Sequence, residues 1–206
     1  MIEAVVFDIG NVLIHWAPER YYDRRFGAER RRAFFDAVPI EAANLEIDRG
    51  APFRETIYDL AEAHPAWRAE IQAWHDDWAL MAAPDIPRTA DLLRAVRARG
   101  VPVFALTNFG RETFEIARRL YPVLTEFDRA FVSAHMALVK PDPEIYARVE
   151  TETGIAAEGL LFADDRAENV EAAARRGWCT HLFEAPEAFA ARLVREGVLT
   201  EAEVGV

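Results

Sequence analysis

The segment Val5-Val6-Phe7-Asp8-Ile9-Gly10-Asn11-Val12-Leu13 opens with a short apolar run that ends in an acid. Such a run, without polar alternation, is typical of a strand that is buried on both faces of a parallel sheet. In open α/β sheets ligands bind beyond the carboxyl ends of the strands, which is where Asp8 stands. Gly10 and Asn11 then form a turn in which the backbone can approach a ligand closely. The alternative is an Asp8 that only caps backbone amides in a turn.

Five apolar runs in all predict strands, at residues 2–7, 101–106, 129–132, 160–163 and 180–183. Amphipathic patterns between them predict helices at residues 87–99, 111–121, 143–152 and 166–176. Gly100 and Gly177 follow two of these helices and are expected to end them. The alternation of strand and helix predicts an α/β fold whose core is a doubly wound, Rossmann-like parallel sheet.

Residues 18–83 interrupt this alternation, because they contain several helical patterns and no strand. A helical stretch of about 65 residues is too long for one crossover between neighbouring strands. We therefore expect a helical cap at 17–83, inserted into an α/β catalytic core made of 1–16 and 84–206. Three tryptophans have the spacing of one helical face and are expected in the core of the cap, with the last also a candidate for substrate contact: Trp67, Trp74 and Trp78.

The composition restricts the possible partners. The net charge of -11 repels nucleic-acid backbones, so we expect no nucleic-acid partner. No apolar run approaches the roughly 18 residues of a membrane helix, and the first residues do not have the pattern of a signal peptide. The single cysteine, Cys179, excludes an internal disulfide, is expected as a core thiol and is typical of a reducing compartment. We expect a cytoplasmic monomer or homodimer that acts on a small molecule.

Lys140 is the only lysine, and every other cation among the 24 lysine and arginine residues is an arginine. Lysine is a compact point charge, whereas arginine is a wide planar fork, so Lys140 indicates a position that a guanidinium cannot fill. Chance survival at the surface explains the composition alone equally well. The sequence around it favours the first interpretation, because Asp142 and Pro143 are expected to start a helix directly after Lys140.

Thr107 and Asn108 follow the predicted second strand, and a helix is expected to start near Arg111. The free N–H groups of a helix N-terminus, together with small polar side chains, form a ready site for an anion. Ordinary N-capping by Thr107 or Asn108 explains the same pattern.

Asp164 and Asp165 follow the predicted fourth strand as an adjacent pair of acids. Neighbouring carboxylates repel each other, and a divalent cation relieves that repulsion. Ligands that are all oxygen favour Mg²⁺. The alternative is one structural cap beside one solvated acid, which the presence of Asp8 and Lys140 makes less attractive.

These four segments, in this order and with a helical cap after the first, resemble the four motifs of the haloacid dehalogenase superfamily of hydrolases. The resemblance covers nearly the whole chain. The opening Asp-Ile-Gly-Asn-Val-Leu at 8–13 is similar to the branch that contains bacterial glucose-1-phosphate phosphatases. The resemblance implies that Asp8 is the catalytic nucleophile, that Thr107 and Asn108 bind the phosphoryl group, and that Lys140 pairs with both.

The resemblance also implies a Mg²⁺ cofactor. Its ligands would be the carboxylates of Asp8 and Asp165 and the carbonyl of Gly10. Asp164 would be a further ligand or an acid just behind the ligands, and Asn169 would orient that loop.

Gly10 departs from the family pattern, in which a second Asp two residues after the nucleophile is the general acid and base. Glycine cannot carry a proton, and loss of a positioned acid lowers a rate by about 10²–10⁴-fold. The departure favours a leaving group that departs easily, such as that of a sugar 1-phosphate. His15, the next titratable side chain, is an alternative proton donor and otherwise an ordinary loop residue.

These residues predict a Mg-dependent phosphatase that hydrolyses a small phosphate ester, a sugar phosphate being one candidate, through an aspartyl-phosphate intermediate. Arg49 is a candidate cap residue that faces the substrate. One alternative is a metal-independent 2-haloacid dehalogenase, although those enzymes carry an aromatic residue at the position of Gly10 and Ser-x-Asn at the fourth motif. The other is a catalytically decayed module that binds a ligand, although every other motif residue is intact.

Overall fold

A five-stranded, all-parallel sheet forms the centre of the computed structural model, which describes residues 1–205. In space the strands follow the order β3-β2-β1-β4-β5, where the bounds are β1 Ala4–Phe7, β2 Val103–Thr107, β3 Arg129–Val132, β4 Leu160–Asp164 and β5 Cys179–Leu182. Strand β1 pairs with β2 on one side and with β4 on the other. The chain reverses its direction of winding at β1, and crevices at such points hold the ligands of α/β proteins.

Helices cover both faces of this sheet. Their bounds are α1 Pro18–Phe26, α2 Ala28–Ala37, α3 Ile40–Asp48, α4 Phe53–Ala63, α5 Arg68–Asp76, α6 Trp78–Met81, α7 Pro87–Ala98, α8 Arg111–Leu120, α9 Ser133–Met136, α10 Pro143–Thr153, α11 Ala167–Arg175, α12 Pro186–Arg195 and α13 Glu201–Val204. Short 3₁₀ helices span Pro65–Trp67, Pro122–Thr125 and Ala157–Gly159. No helix within residues 1–205 is both long enough and apolar enough to cross a membrane.

The strands lack polar alternation because both of their faces are buried. Val5 and Phe7 belong to an apolar cluster on one side of the sheet, with helices α7, α8 and α12. Ala4 and Val6 belong to a second cluster on the other side, with α10 and α11. Successive side chains of a strand point to opposite faces, so each face needs its own apolar set. The predicted doubly wound α/β sheet is confirmed.

The structure shifts several predicted boundaries by one or two residues. Strand β2 starts at Val103 rather than residue 101, because Pro102 has no N–H to donate to the ladder, although its carbonyl accepts from Val5 N at 3.0 Å. Gly100 and Gly177 have positive φ directly after α7 and α11, as predicted for residues that end helices. Cys179, expected in the core, is only half-buried because β5 is an edge strand.

Helices α1–α6, called here the cap helices, lie between β1 and α7, and the structure has no strand in this segment. The apolar cluster on the α7 side of the sheet continues into them without a break. Trp74 and Trp78 are 2% and 4% exposed within that cluster, whereas Trp67 is half-buried beneath the guanidinium of Arg30. The division into a cap at 17–83 and a core around it stays a prediction.

Candidate active site

Asp8 lies at the carboxyl end of β1, where backbone and side-chain contacts fix its carboxylate. Its N–H donates to the carbonyl of Ala163 at 2.9 Å, and its Oδ1 accepts from Ile9 N at 2.7 Å. Oδ1 also lies 2.9 Å from Lys140 Nζ. No hydrogen bond from a residue in 1–205 engages Oδ2, and Asp8 lines the main cavity. The residue is nevertheless only 6% exposed.

The ammonium group of Lys140 has three oxygen atoms around it. Nζ donates to Asp164 Oδ2 at 2.6 Å and to the carbonyl of Leu106 at 2.8 Å, and it forms an ion pair with Asp8 Oδ1 at 2.9 Å. The side chain is 1% exposed. Three acceptors around one nitrogen suit an ammonium and not a planar guanidinium. This arrangement explains why position 140 is a lysine, whereas the other 23 residues among the lysines and arginines are arginines.

The side-chain amide of Asn108 holds the backbone of Lys140 in place. Lys140 N donates to Asn108 Oδ1 at 2.8 Å, and Asn108 Nδ2 donates back to the carbonyl of Lys140 at 3.0 Å. The amide of Asn108 therefore ties the loop after β2 to the loop before α10. Thr107, the last residue of β2, lines the cavity, and its hydroxyl has no hydrogen-bond partner within residues 1–205.

Asp164 and Asp165 stand side by side but have different surroundings. Asp164 is fully buried, and its oxygens accept from Lys140 Nζ, from Arg166 N at 2.8 Å and from Asn169 Nδ2 at 3.0 Å. Asp165 is half-buried and lines the cavity. The predicted role of Asn169 as the residue that orients this loop agrees with its two contacts to Asp164.

Asn11 holds Asp165 in place, a role that the sequence did not indicate. Its Nδ2 donates to Asp165 Oδ2 at 2.9 Å, and its Oδ1 accepts from Trp16 N at 2.9 Å. Asn11 has a φ of 55°, in the left-handed region that asparagine tolerates better than most residues. The only signal in the sequence is the Gly10-Asn11 turn, which does not name the partner.

The acidic cluster has the chemistry of a site for a hard divalent cation. One oxygen each of Asp8, Asp164 and Asp165 lie within 4.8 Å of one another, and the only ammonium among them belongs to Lys140. Burial raises the pKa of Asp8 to about 7, opposed by Lys140 and reinforced by Asp164. Burial likewise raises the pKa of Asp165, although the Asn11 amide lowers it. Mg²⁺ prefers carboxylate and carbonyl oxygens, so these residues fit it.

Burial by itself lowers the pKa of Lys140, but the carboxylates of Asp164 and Asp8 outweigh that effect and raise it above its ordinary value. Lys140 therefore stays charged throughout the physiological pH range. A permanent cation at this position can hold a carboxylate and attract an anionic substrate at the same time.

A cavity of about 530 Å³ lies above the strand ends. Four residues that line it form its floor, namely Asp8, Thr107, Lys140 and Asp165, and the floor is taken to include Asp164, which is fully buried directly behind them. Its roof consists of Trp16, Asn44, Asp48, Trp74, Trp78 and Phe109. Trp16 packs on both other roof tryptophans, with ring centroids 5.6 Å from Trp74 and 5.9 Å from Trp78. The cavity is therefore charged at one end and aromatic at the other.

Three residues considered as site candidates from the sequence, Gly10, Arg49 and His15, differ in their position relative to this cavity. Gly10 lines it, and a Cβ built there would meet no atom closer than Trp16 Cβ at 3.9 Å, so the position has room for a side chain. Arg49 reaches the rim, where its exposed guanidinium pairs with Glu46 at 2.9 Å. His15 is exposed and is not among the residues that line the cavity.

Residues 2–177 match the family model for haloacid dehalogenase-like hydrolases. The chain belongs to this family. The superfamily predicted from the four motifs is thereby confirmed, and the protein is a hydrolase. Its assignment to the glucose-1-phosphate phosphatase branch stays a prediction.

Known proteins of this family that resemble the chain include both phosphatases and dehalogenases. A sesquiterpene phosphatase from Aspergillus oryzae is 29% identical over 172 residues, which cover 83% of this chain and 84% of that protein.

Two solved structures share the fold. A family enzyme from Bacteroides thetaiotaomicron, in complex with magnesium and inorganic phosphate, has a TM-score of 0.67 at 22% identity and covers 90% of this chain and 96% of its own. L-2-haloacid dehalogenase from Xanthobacter autotrophicus, with chloropropionic acid covalently bound, has a TM-score of 0.63 at 19% identity and covers 99% and 87%.

Proposed function

We propose that this hydrolase is a magnesium-dependent phosphatase that cleaves a small phosphate ester through an aspartyl phosphate on Asp8. The proposal rests on one observation above all: Asp8, Lys140, Asp164 and Asp165, from three distant parts of the chain, meet at one edge of the sheet. A cytoplasmic location and a monomeric or dimeric state belong to the same proposal as expectations from the composition.

In the proposed reaction Oδ2 of Asp8 attacks phosphorus, the ester bond breaks, and water then hydrolyses the aspartyl phosphate. The contacts of Oδ1 with Lys140 and Ile9 N support this role, because they hold the carboxylate still and leave Oδ2 free. Lys140 would also stabilise negative charge on the phosphoryl oxygens, which is the main source of catalysis in phosphoryl transfer. The hydroxyl of Thr107 would donate to one of those oxygens.

Mg²⁺ would be held by Asp8, Asp165 and the Gly10 carbonyl, with Asp164 beside them, and would neutralise charge on the phosphoryl group. Asn11 would keep Asp165 directed at the ion through its 2.9 Å hydrogen bond. Asn108 would act by holding the backbone of Lys140, in addition to its predicted contact with the phosphoryl group.

The roof favours an alcohol with an apolar or flat face. Trp16, Trp78 and Phe109 line the part of the cavity beyond the acids, and Trp78 packs edge-on against Phe109 at 5.8 Å. Aromatic walls bind apolar chains and the flat faces of sugars alike. The Aspergillus relative acts on a sesquiterpene phosphate, as its name states. We therefore propose substrates in the range from isoprenoid monophosphates to sugar phosphates.

The 2-haloacid dehalogenase alternative is less well supported by the floor of the cavity. A 2-haloacid is itself a carboxylate, and in this site it would lie beside Asp164 and Asp165, which repel it. A dehalogenase would release chloride from 2-chloropropionate in the presence of EDTA, whereas the proposed phosphatase would not.

Replacement of the nucleophile tests the proposed function directly. Asp8→Asn keeps the size of the side chain but removes its nucleophilicity, so turnover of p-nitrophenyl phosphate with Mg²⁺ should fall by at least about 10⁴-fold. Asp36→Asn, the same change at an exposed position on α2, is the matched control and should retain full activity. Magnesium-dependent turnover that persists in Asp8→Asn would refute the proposal.

A further inference from the structure

The proposed phosphatase reaction needs a proton donor that the first motif does not supply. Glycine occupies position 10, and the exposed His15 does not line the cavity. Four carboxyl groups line the cavity besides Asp8 and Asp165. Those of Glu41, Asp142 and Glu168 are exposed, whereas that of Asp48, at the end of α3 in the cap helices, is half-buried.

The end of α3 is docked tightly on the loop that follows β2. A Cβ built on Gly110 would lie 2.5 Å from Ile47 Cγ2, so only glycine allows this approach. Ser133 Oγ donates to the carbonyl of Asp48 at 2.7 Å and accepts from Phe109 N at 2.9 Å. The backbone of Asp48 is therefore fixed to the loop that follows Thr107.

The side chain of Asp48 is also held in one orientation. Asn44 Nδ2 donates to Asp48 Oδ2 at 3.1 Å, and Asn44 Oδ1 in turn accepts from Trp74 Nε1 at 3.1 Å. Because the indole N–H is a donor only, it fixes which end of the Asn44 amide faces Asp48. Arg49, the adjacent cation, pairs with Glu46 on the surface instead of with Asp48.

The groups that face Asp48 leave it able to carry a proton near neutral pH. Burial raises the pKa of Asp48 to about 7; Lys140 lowers it, Asp8 raises it, and the backbone amide of Gly110 lowers it. The charged groups on the floor, Lys140 and Asp8, are therefore close enough to influence Asp48 across the cavity. A general acid works best when its pKa lies near the operating pH.

We propose that Asp48 is the general acid and base of this enzyme, supplied by the cap helices in place of a carboxyl group at position 10. The inference rests on the proposed phosphatase function. As Asp8 attacks, the bond from phosphorus to the alcohol oxygen breaks, and protonated Asp48 gives its proton to that oxygen. In the second step water attacks phosphorus, the bond to Asp8 breaks, and the Asp48 carboxylate takes the proton of the water.

The dependence on the leaving group tests this role. A poor leaving group needs a proton, whereas p-nitrophenolate departs without one, and kcat/KM reports on the step in which the ester bond breaks. In Asp48→Asn we expect kcat/KM to fall about 10²–10⁴-fold for an alkyl phosphate and less than tenfold for p-nitrophenyl phosphate. Glu46→Gln changes an exposed acid of the same helix and should alter neither value.

A rescue variant separates proton donation from a merely structural role. Position 10 has room for a side chain, so Gly10→Asp in the Asp48→Asn background should recover at least tenfold in kcat/KM on the alkyl ester. Equal losses on the two esters, with no recovery in the double variant, would overturn the inference.

The wild-type enzyme supplies an independent measurement, should Asp48→Asn fail to fold. With a proton donor in place, kcat/KM across aryl and alkyl phosphates should depend only weakly on the pKa of the leaving alcohol, and a steep dependence would contradict the role of Asp48. A wild-type enzyme that hydrolyses none of these esters would instead overturn the proposed function itself, and this inference with it.

Discussion

The floor and the roof of the cavity are built in different ways. On the floor, two strand ends and the loop before α10 place Asp8, Asp164 and Lys140 so that most polar atoms have a fixed partner at 2.6–3.0 Å. The roof comes largely from the cap helices and is aromatic, with the half-buried Asp48 among its residues. The floor is a rigid set of charges, whereas the roof is a mainly aromatic surface that carries one half-buried acid.

The difference indicates a division of labour. Charge stabilisation in a transition state requires groups that are already in place, which is what the hydrogen-bonded floor supplies. Choice of the leaving group depends on surface shape, and the roof can vary without disturbing the strand ends. Changes on the floor should therefore affect every substrate, and changes on the roof should distinguish between substrates.

Apart from loss of the proposed nucleophile and proton donor, the largest effect is expected from Lys140→Arg. A guanidinium cannot present three N–H bonds from one nitrogen to Asp8, Asp164 and the carbonyl of Leu106, so kcat/KM should fall by on the order of 10³-fold on all esters. Steady-state assays of an alkyl and an aryl phosphate measure the loss. Arg175→Lys, at an exposed position, is the control and should leave kcat/KM unchanged. A loss confined to one ester would contradict the expectation that floor residues affect every substrate.

A smaller effect is expected when the support of Asp165 is removed. Asn11→Gly suits the φ of 55° but deletes the hydrogen bond to Asp165, so half-maximal activity should require about 10–100-fold more Mg²⁺. Titration of activity with Mg²⁺ measures the shift. Activity at saturating Mg²⁺ should stay near the wild-type value, and an unchanged Mg²⁺ requirement would remove Asn11 from the metal site.

The roof should show selective effects. Trp16→Ala removes a half-buried indole that lines the cavity, so kcat/KM for an isoprenoid monophosphate should fall about tenfold. Inhibition by inorganic phosphate, which has no alcohol part, should be unchanged. Weaker inhibition by phosphate in this variant would mean that Trp16 acts on the floor and not only on the leaving group.

The smallest effect concerns stability. Because burial raises the pKa of Asp8 to about 7, the metal-free folded protein binds that proton more tightly than the unfolded chain does. The free energy of unfolding therefore falls as pH rises from the ordinary pKa of an aspartate to about 7. Asp8→Asn removes this loss, so above pH 7 the variant should be about 1–2 kcal/mol more stable than the wild type.

Urea unfolding between pH 4.5 and 8.5, without divalent ions, measures this difference. The gap between Asp8→Asn and the wild type should shrink toward pH 4.5, because the folded protein keeps its proton on Asp8 there and the pH approaches the ordinary pKa of an aspartate. Added Mg²⁺ should stabilise the wild type more than the variant. A gap that widens toward low pH would mean that Asp8 is stabilised as a carboxylate, contrary to the effect of its burial.

The proximity of the floor residues can be predicted from the sequence because the signals for it are local. Asp8, Thr107 and the Asp164–Asp165 pair each follow an apolar run, and the carboxyl ends of parallel strands necessarily share one edge of the sheet. Lys140 was found through composition, as the single lysine of an arginine-rich chain. Family resemblance added the roles of these residues, and those roles stay proposals.

The roof was largely missed because helical periodicity gives no information on how one helix docks on another. The sequence predicts Arg49 as a cap residue at the substrate, and this stays a prediction. Arg49 and the neighbouring Asp48 both line the cavity, but the guanidinium of Arg49 is exposed and pairs with Glu46, whereas Asp48 is half-buried. At the end of a helix, one residue of difference changes the direction of a side chain by about 100°. No local pattern indicates which of the two side chains is the more buried.

By itself the sequence determined the α/β fold, the strand ends that carry the acids and the need for a lysine. These features can be read from short segments because a buried strand is a short apolar run, and the acids directly follow such runs. Only the tertiary structure decided that Asn11 hydrogen-bonds to Asp165, that Ile47 packs against Gly110, and that Asp48 lines the same cavity as Asp8. Those contacts depend on packing between segments far apart in the chain, and no local sequence pattern predicts them.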